Sequence, residues 1–150
     1  MHKDSLNYRF GRGSDESHRR DQAVFSELLT HHQALYRRTK ILSNGIEALT
    51  GSENPKLVKL LHDHVVGMEK RFAAGRAIRS WDPLFAALFE YKDQLNFAYT
   101  LCDHGVLATI TTDHPKLIEL IHCHDQALHQ FVDYGYEKSG NPSPKPSWLD

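Results

Sequence analysis

Long hydrophobic runs are missing from this chain: no stretch of its 150 residues approaches the length needed to span a bilayer. The opening, MHKDSLNYRFGRGSDESHRR, lacks the apolar core of a secretory signal. The expectation is therefore a cytoplasmic protein with no membrane partner. A surplus of one charge is missing too. Eighteen Lys and Arg stand against nineteen Asp and Glu, for a formal charge of −1, which gives no basic field for a phosphate backbone and argues against nucleic acid as a partner. Cysteine is scarce, and Cys102 and Cys123 form no CxxC. That fits buried free thiols in a reducing compartment.

The familiar chemical signatures are also missing. There is no GxGxxG, P-loop or GxSxG, and no CxxCH to attach haem covalently. HExxH does not occur. A haemerythrin-like di-iron site looks for a carboxylate four residues after a histidine, whereas His62, His64, His122 and His124 are followed there by Val66, Met68, Gln126 and Leu128.

What is abundant is histidine, 11 of the 150 residues. Four of the positions it fills belong to a pattern. LLHDHVVGMEKRF begins at Leu60 and LIHCHDQALHQF at Leu120, and the sixty-residue offset extends well beyond the shared His-x-His. It pairs Phe25 with Phe85, Leu28 with Leu88, Leu35 with Leu95, Gly45 with Gly105 and Ala48 with Ala108, with no gap. From Pro55 to His64, six of ten positions are identical to Pro115 through His124. We read this as an internal duplication.

Each copy has the same layout. Apolar residues at three- and four-residue spacings predict helices over 22–36 and 83–95, the second capped by Asp82 with Pro83 at its first position. Short β-compatible runs follow, turning at Asn44-Gly45 and at His104-Gly105, the first with the residues of a type I′ hairpin. Long amphipathic helices then start at Pro55, where Asn54 is a good cap, and at Pro115, where His114 is a poor one. The predicted fold is α+β: a helix–β-hairpin–helix unit used twice, its hairpins joined as one four-stranded antiparallel sheet with helices packed on it, pseudo-two-fold symmetric. Residues 1–20 read as a mobile arm and 21–140 as one domain of two repeats, 21–80 and 81–140. The Pro-rich 141–150 is a tail with Trp148 as its docking residue.

On a helix, residues i and i+2 point about 200° apart, so each His-x-His must be split. His64 lies on the stripe Leu57, Leu61, His64, Met68, Phe72, and His124 on Leu117, Ile121, His124, Leu128. Both point inward. Two opposed neutral imidazoles suffice as axial ligands of haem b, whereas zinc, copper or non-haem iron wants a third ligand, for which His31 is the candidate. Arg37, with Arg38 beside it, could meet a propionate. A second metal reading uses the other face, where His122, Asp125 and His129 stand at i, i+3 and i+7.

Hairpin, then NP or HP, then a helix with one inward histidine, repeated once, resembles a group of small bacterial α+β proteins of uncharacterised activity. The resemblance rests on Asn44-Gly45, Pro55, His64, Pro115 and His124. It implies the duplicated architecture and no particular chemistry. Three functions stay open: binding of haem or a transition metal for sensing, carriage or simple redox chemistry; an enzyme using the inward histidines as general acid and base; or a structural or interaction protein, such as a homodimer, whose histidines satisfy core hydrogen bonds.

Overall fold

A computed structural model describes residues 16–75, 79, 81–135 and 140–149. In chain order these form α1 (Glu16–Thr30), β1 (Leu35–Leu42), β2 (Gly45–Ser52), α2 (Pro55–Ala73), α3 (Pro83–Glu90), β3 (Asn96–Cys102), β4 (Gly105–Thr111) and α4 (Pro115–Tyr134), with single 3-10 turns at His32–Ala34 and Lys92–Gln94. The class is α+β, with one antiparallel sheet of order β1-β2-β4-β3. Among the described residues no helix is long and apolar enough to cross a membrane.

The first fifteen positions of the expected arm lie outside the described residues, but from Glu16 the chain is already helical. At their other ends both first helices are shorter than their apolar spacing implies. α1 stops at Thr30 and α3 at Glu90, and each hands over through a 3-10 turn to an edge strand. Leu35 and Tyr36, expected on a helix, instead pair with Ser52 and Gly51. Their apolar spacing fits either structure over so short a run, and the sheet ladder decides it.

The hairpins turn one residue earlier than the dipeptide signal suggests. Leu42 pairs with Gly45 and Cys102 with Gly105, so the loops are Ser43-Asn44 and Asp103-His104. Neither Asn44 nor Gly45 has a positive φ, which excludes the type I′ turn. Glycine is needed at 45 and 105 for another reason. A Cβ on Gly45 would sit 1.9 Å from the Ile110 carbonyl oxygen, and one on Gly105 would sit 1.9 Å from that of Thr50. The two central strands approach too closely there for any side chain.

Those central strands pair so that Ala48 faces Ala108, positions sixty apart. This is the register that a two-fold relation between the halves requires. Each strand end is anchored alike. Buried Ser52 donates through Oγ to the Ala34 carbonyl (2.7 Å) and accepts from Asn54 N (3.1 Å). Buried Thr112 donates to the Gln94 carbonyl (2.8 Å) and accepts from His114 N (3.1 Å). The halves differ one step further on: Asn54 Oδ1 accepts from Lys56 N at the start of α2 (3.0 Å), whereas His114 gives α4 no side-chain cap.

The core lies between the sheet and the helices. Ile46, Ala48 and Ile110 meet Leu84, Ala87 and Leu88 of α3 and Leu117, Leu120, Ile121 and Ala127 of α4. A smaller cluster joins Leu28, Leu61 and Val106. The tail docks: Trp148 Nε1 donates to the Lys116 carbonyl (3.1 Å), Ser147 N donates to Glu119 (2.8 Å), and Pro146 is buried.

Candidate functional site

α2 and α4 carry the two inward histidines, and each packs on a phenylalanine from the preceding helix of its own half. His64 stacks on Phe25 at 5.6 Å between ring centroids, and His124 meets Phe85 edge-on at 5.7 Å. One cluster links them. Phe25 contacts Phe131 at 5.6 Å, and the Arg79 guanidinium lies over both Phe131 (5.0 Å) and Phe85 (5.4 Å), as well as over Trp81 (4.4 Å). Arg79 itself is held by Asp82 (3.1 Å) and adopts a positive φ of 51°, uncommon for a side-chain-bearing residue. Burial pulls its pKa below the ordinary arginine value, and Asp82 works against that shift.

The imidazoles share an unusual electrostatic state. Burial pushes His64 down to about 4, against the pull of Asp21. Burial and then the Arg37 charge push His124 to about 4, with Asp125 opposing. Both rings are neutral at pH 7. In each, Nδ1 is sealed from solvent and has no hydrogen-bond partner. Each ring therefore has one orphaned inner nitrogen. Asp21 approaches His64 because Gly67 leaves room for it; a Cβ there would lie 2.6 Å from Asp21 Oδ1. Asp21 in turn pairs with buried Arg71 at 3.0 Å.

The outer pair behaves differently. His62, read from sequence as one residue of a solvated face, donates from Nε2 to the carbonyls of Cys102 and Gly105, both at 2.9 Å. It clamps α2 onto the β3–β4 hairpin. Its counterpart His122 makes no such bond, and its Nε2 is buried without a partner. His32, at the end of α1, bonds through Nδ1 to the Val132 carbonyl at 2.7 Å. His62 and His32 are structural histidines of the ordinary kind. No sequence signal could have found their acceptors, which lie 40 to 100 residues away.

The remaining candidates are already engaged. Arg37, only 6% exposed, donates to Asp125 Oδ1 and to Thr50 Oγ1, both at 2.8 Å. Thr39 also donates to Asp125 (2.7 Å) and lies 3.0 Å from His129 Nε2. Asp125 thus serves β1 as the counter-ion of a nearly buried arginine, not as a member of an open metal face. Arg38 points the other way, is exposed, and lies over Tyr36. His31 is exposed beside Glu27 at 3.3 Å. Among the described residues no three His, Cys, Asp or Glu side chains converge to hold a metal ion. Neither the trio of His31, His64 and His124 nor that of His122, Asp125 and His129 forms a three-ligand centre. Cys123 is buried, and burial raises its pKa, as expected of an inert core thiol.

Comparison with protein families, with curated proteins and with solved structures finds no match, so the functional reading rests on these residues alone.

Proposed function

We propose that the chain binds haem iron or a transition metal through His64 and His124, as a sensor, carrier or simple redox protein. The observation that carries this is the pair of neutral imidazoles whose buried Nδ1 atoms lack any partner, at positions sixty apart. Buried polar atoms are nearly always hydrogen-bonded. His62 and His32 obey that rule, whereas His64 and His124, like His122, break it; what sets the inner pair apart is that burial also holds both of its rings neutral, with pKa values of about 4. A ring that stays unprotonated keeps a nitrogen lone pair for a metal.

The acid–base alternative fares worse on magnitude. A group with a pKa about three units below neutrality is protonated in about one molecule in a thousand at pH 7, far from the matched value that efficient proton transfer needs. A three-ligand zinc or copper site lacks its third ligand among the described residues. Haem needs only one or two histidines, and the Phe25, Phe85 and Phe131 rings would give a porphyrin apolar surface.

The test is an absorption spectrum and metal analysis of protein made without a histidine tag, with haem and metals supplied during expression. A Soret band, or stoichiometric metal, that is lost in both His64→Ala and His124→Ala is the expected result. Protein free of haem and of stoichiometric metal under those conditions ends the proposal.

A further inference from the structure

The two edges of the sheet are built differently. β1 carries Arg37, Arg38 and Lys40 within eight residues, the cationic edge that discourages strand addition. β3, NFAYTLC, has no charged residue in seven, and five of its first six residues are exposed. It also holds two of the four large exposed hydrophobic side chains among the described residues, Phe97 at 45% and Leu101 at 44%. The ladder fixes what this edge offers. Because the hairpin closes on the Cys102–Gly105 pair, strand alternation turns the N–H and C=O of Leu101, Tyr99 and Phe97 outward.

We infer that β3 is a dimerisation edge, pairing antiparallel with β3 of a second copy about a two-fold axis at Tyr99. This proposal stands independently of metal binding. In that register the outward backbone groups of Tyr99 meet their own copies, and those of Phe97 meet those of Leu101. The register also sets each exposed Phe97 against Leu101 of the other copy, twice per dimer, with no charge opposed to like charge. Ala98 then faces Thr100, and Asn96 faces Cys102. The same operation on β1 would bring the exposed Arg38 and Lys40 of the two copies together. The interface is isologous and closes at two subunits, giving one eight-stranded sheet.

Sedimentation velocity of the full chain, across a range of concentrations, reads the association directly. A dimer mass is expected, and Leu101→Lys should weaken association about tenfold or more, through two lost apolar pairs and two introduced charges. Leu101 is 44% exposed, so the monomer's helix and sheet content by circular dichroism should be unchanged. A second variant fixes the register. Asn96→Cys places a thiol opposite native Cys102 of the other copy in a non-hydrogen-bonded pair, about 4.5 Å between Cα atoms and within disulfide range. Within one chain the two positions are roughly 20 Å apart along the strand. Oxidation should therefore give covalent dimers from Asn96→Cys and none once Cys102→Ser is added. A monomer at all concentrations, a dimer indifferent to Leu101→Lys, or open-ended assemblies from β1 pairing with β3 would each overturn the proposal.

Discussion

At the scale of single residues, the inward histidines make the fold sensitive to acid. Folded, both titrate at about 4, below the ordinary value of 6.5. Between those values the unfolded chain binds more protons than the native one, so stability is full above about pH 6.5 and falls as the pH drops toward 4. Urea midpoints measured from pH 7.5 to 4.5 should decline through that window, and the decline should be shallower in His64→Phe/His124→Phe. An unchanged slope in the double variant would mean that other groups carry the acid response. That these two residues face inward was legible from the apolar stripes around them. The partner rings Phe25 and Phe85 were legible only as a sixty-residue pair. The Arg37–Asp125 ion pair was not legible at all, since it joins a strand and a helix 88 residues apart.

Among elements, the long helices α2 and α4 were the easiest to foresee, because a proline at the first position and a sustained apolar stripe agree about each. The short helices were overrun, since a few apolar residues at mixed spacing fit a strand as well. The hairpin turn was misassigned for a more instructive reason. Asn44-Gly45 carries a strong local turn signal, but Gly45 and its counterpart Gly105 answer to the neighbouring strand, not to their own loop. That difference is testable. If Gly45 served a positive-φ turn, Asn would be a tolerated replacement there. Because the obstacle is a backbone carbonyl at 1.9 Å, even the single methyl of Gly45→Ala or Gly105→Ala must force β2 and β4 apart. Each should cost about 1–3 kcal/mol or more by chemical denaturation, the range for overpacking, and should raise amide exchange at the β2–β4 ladder before the outer ladders. Ser43→Ala, in the exposed loop itself, should stay within about 0.5 kcal/mol of the parent.

For the whole molecule, the tail and the histidine cluster are tied through one buried carboxylate. Asp82 is fully buried, and its side chain accepts from Leu84 N at the start of α3 (3.2 Å), from Arg79 (3.1 Å), and from Ser143 through both N (3.1 Å) and Oγ (2.6 Å). The cap was legible in the sequence, while the tail's claim on the same residue, 61 positions away, was not. Arg79 is the cation over Phe85 and Phe131, so whatever fixes Asp82 also fixes the rings that touch His64 and His124. The two variants of this link should differ in size. Ser143→Ala removes one donor to a charged group and should cost about 1.5–3 kcal/mol. Asp82→Ala removes the cap and both partners of Ser143 and also leaves a largely buried Arg79 without its counter-ion, so it should cost about 3–5 kcal/mol. The distinguishing readout is spectroscopic. In Asp82→Ala the imidazole resonances of both His64 and His124 should shift, because Arg79 is released from the rings between them, whereas Ser143→Ala should leave them in place. Resonances that ignore Asp82→Ala would mean that Asp82 does not hold Arg79 against the rings, and that the direct bond from Arg79 to the Asn141 carbonyl of the tail (3.1 Å) suffices.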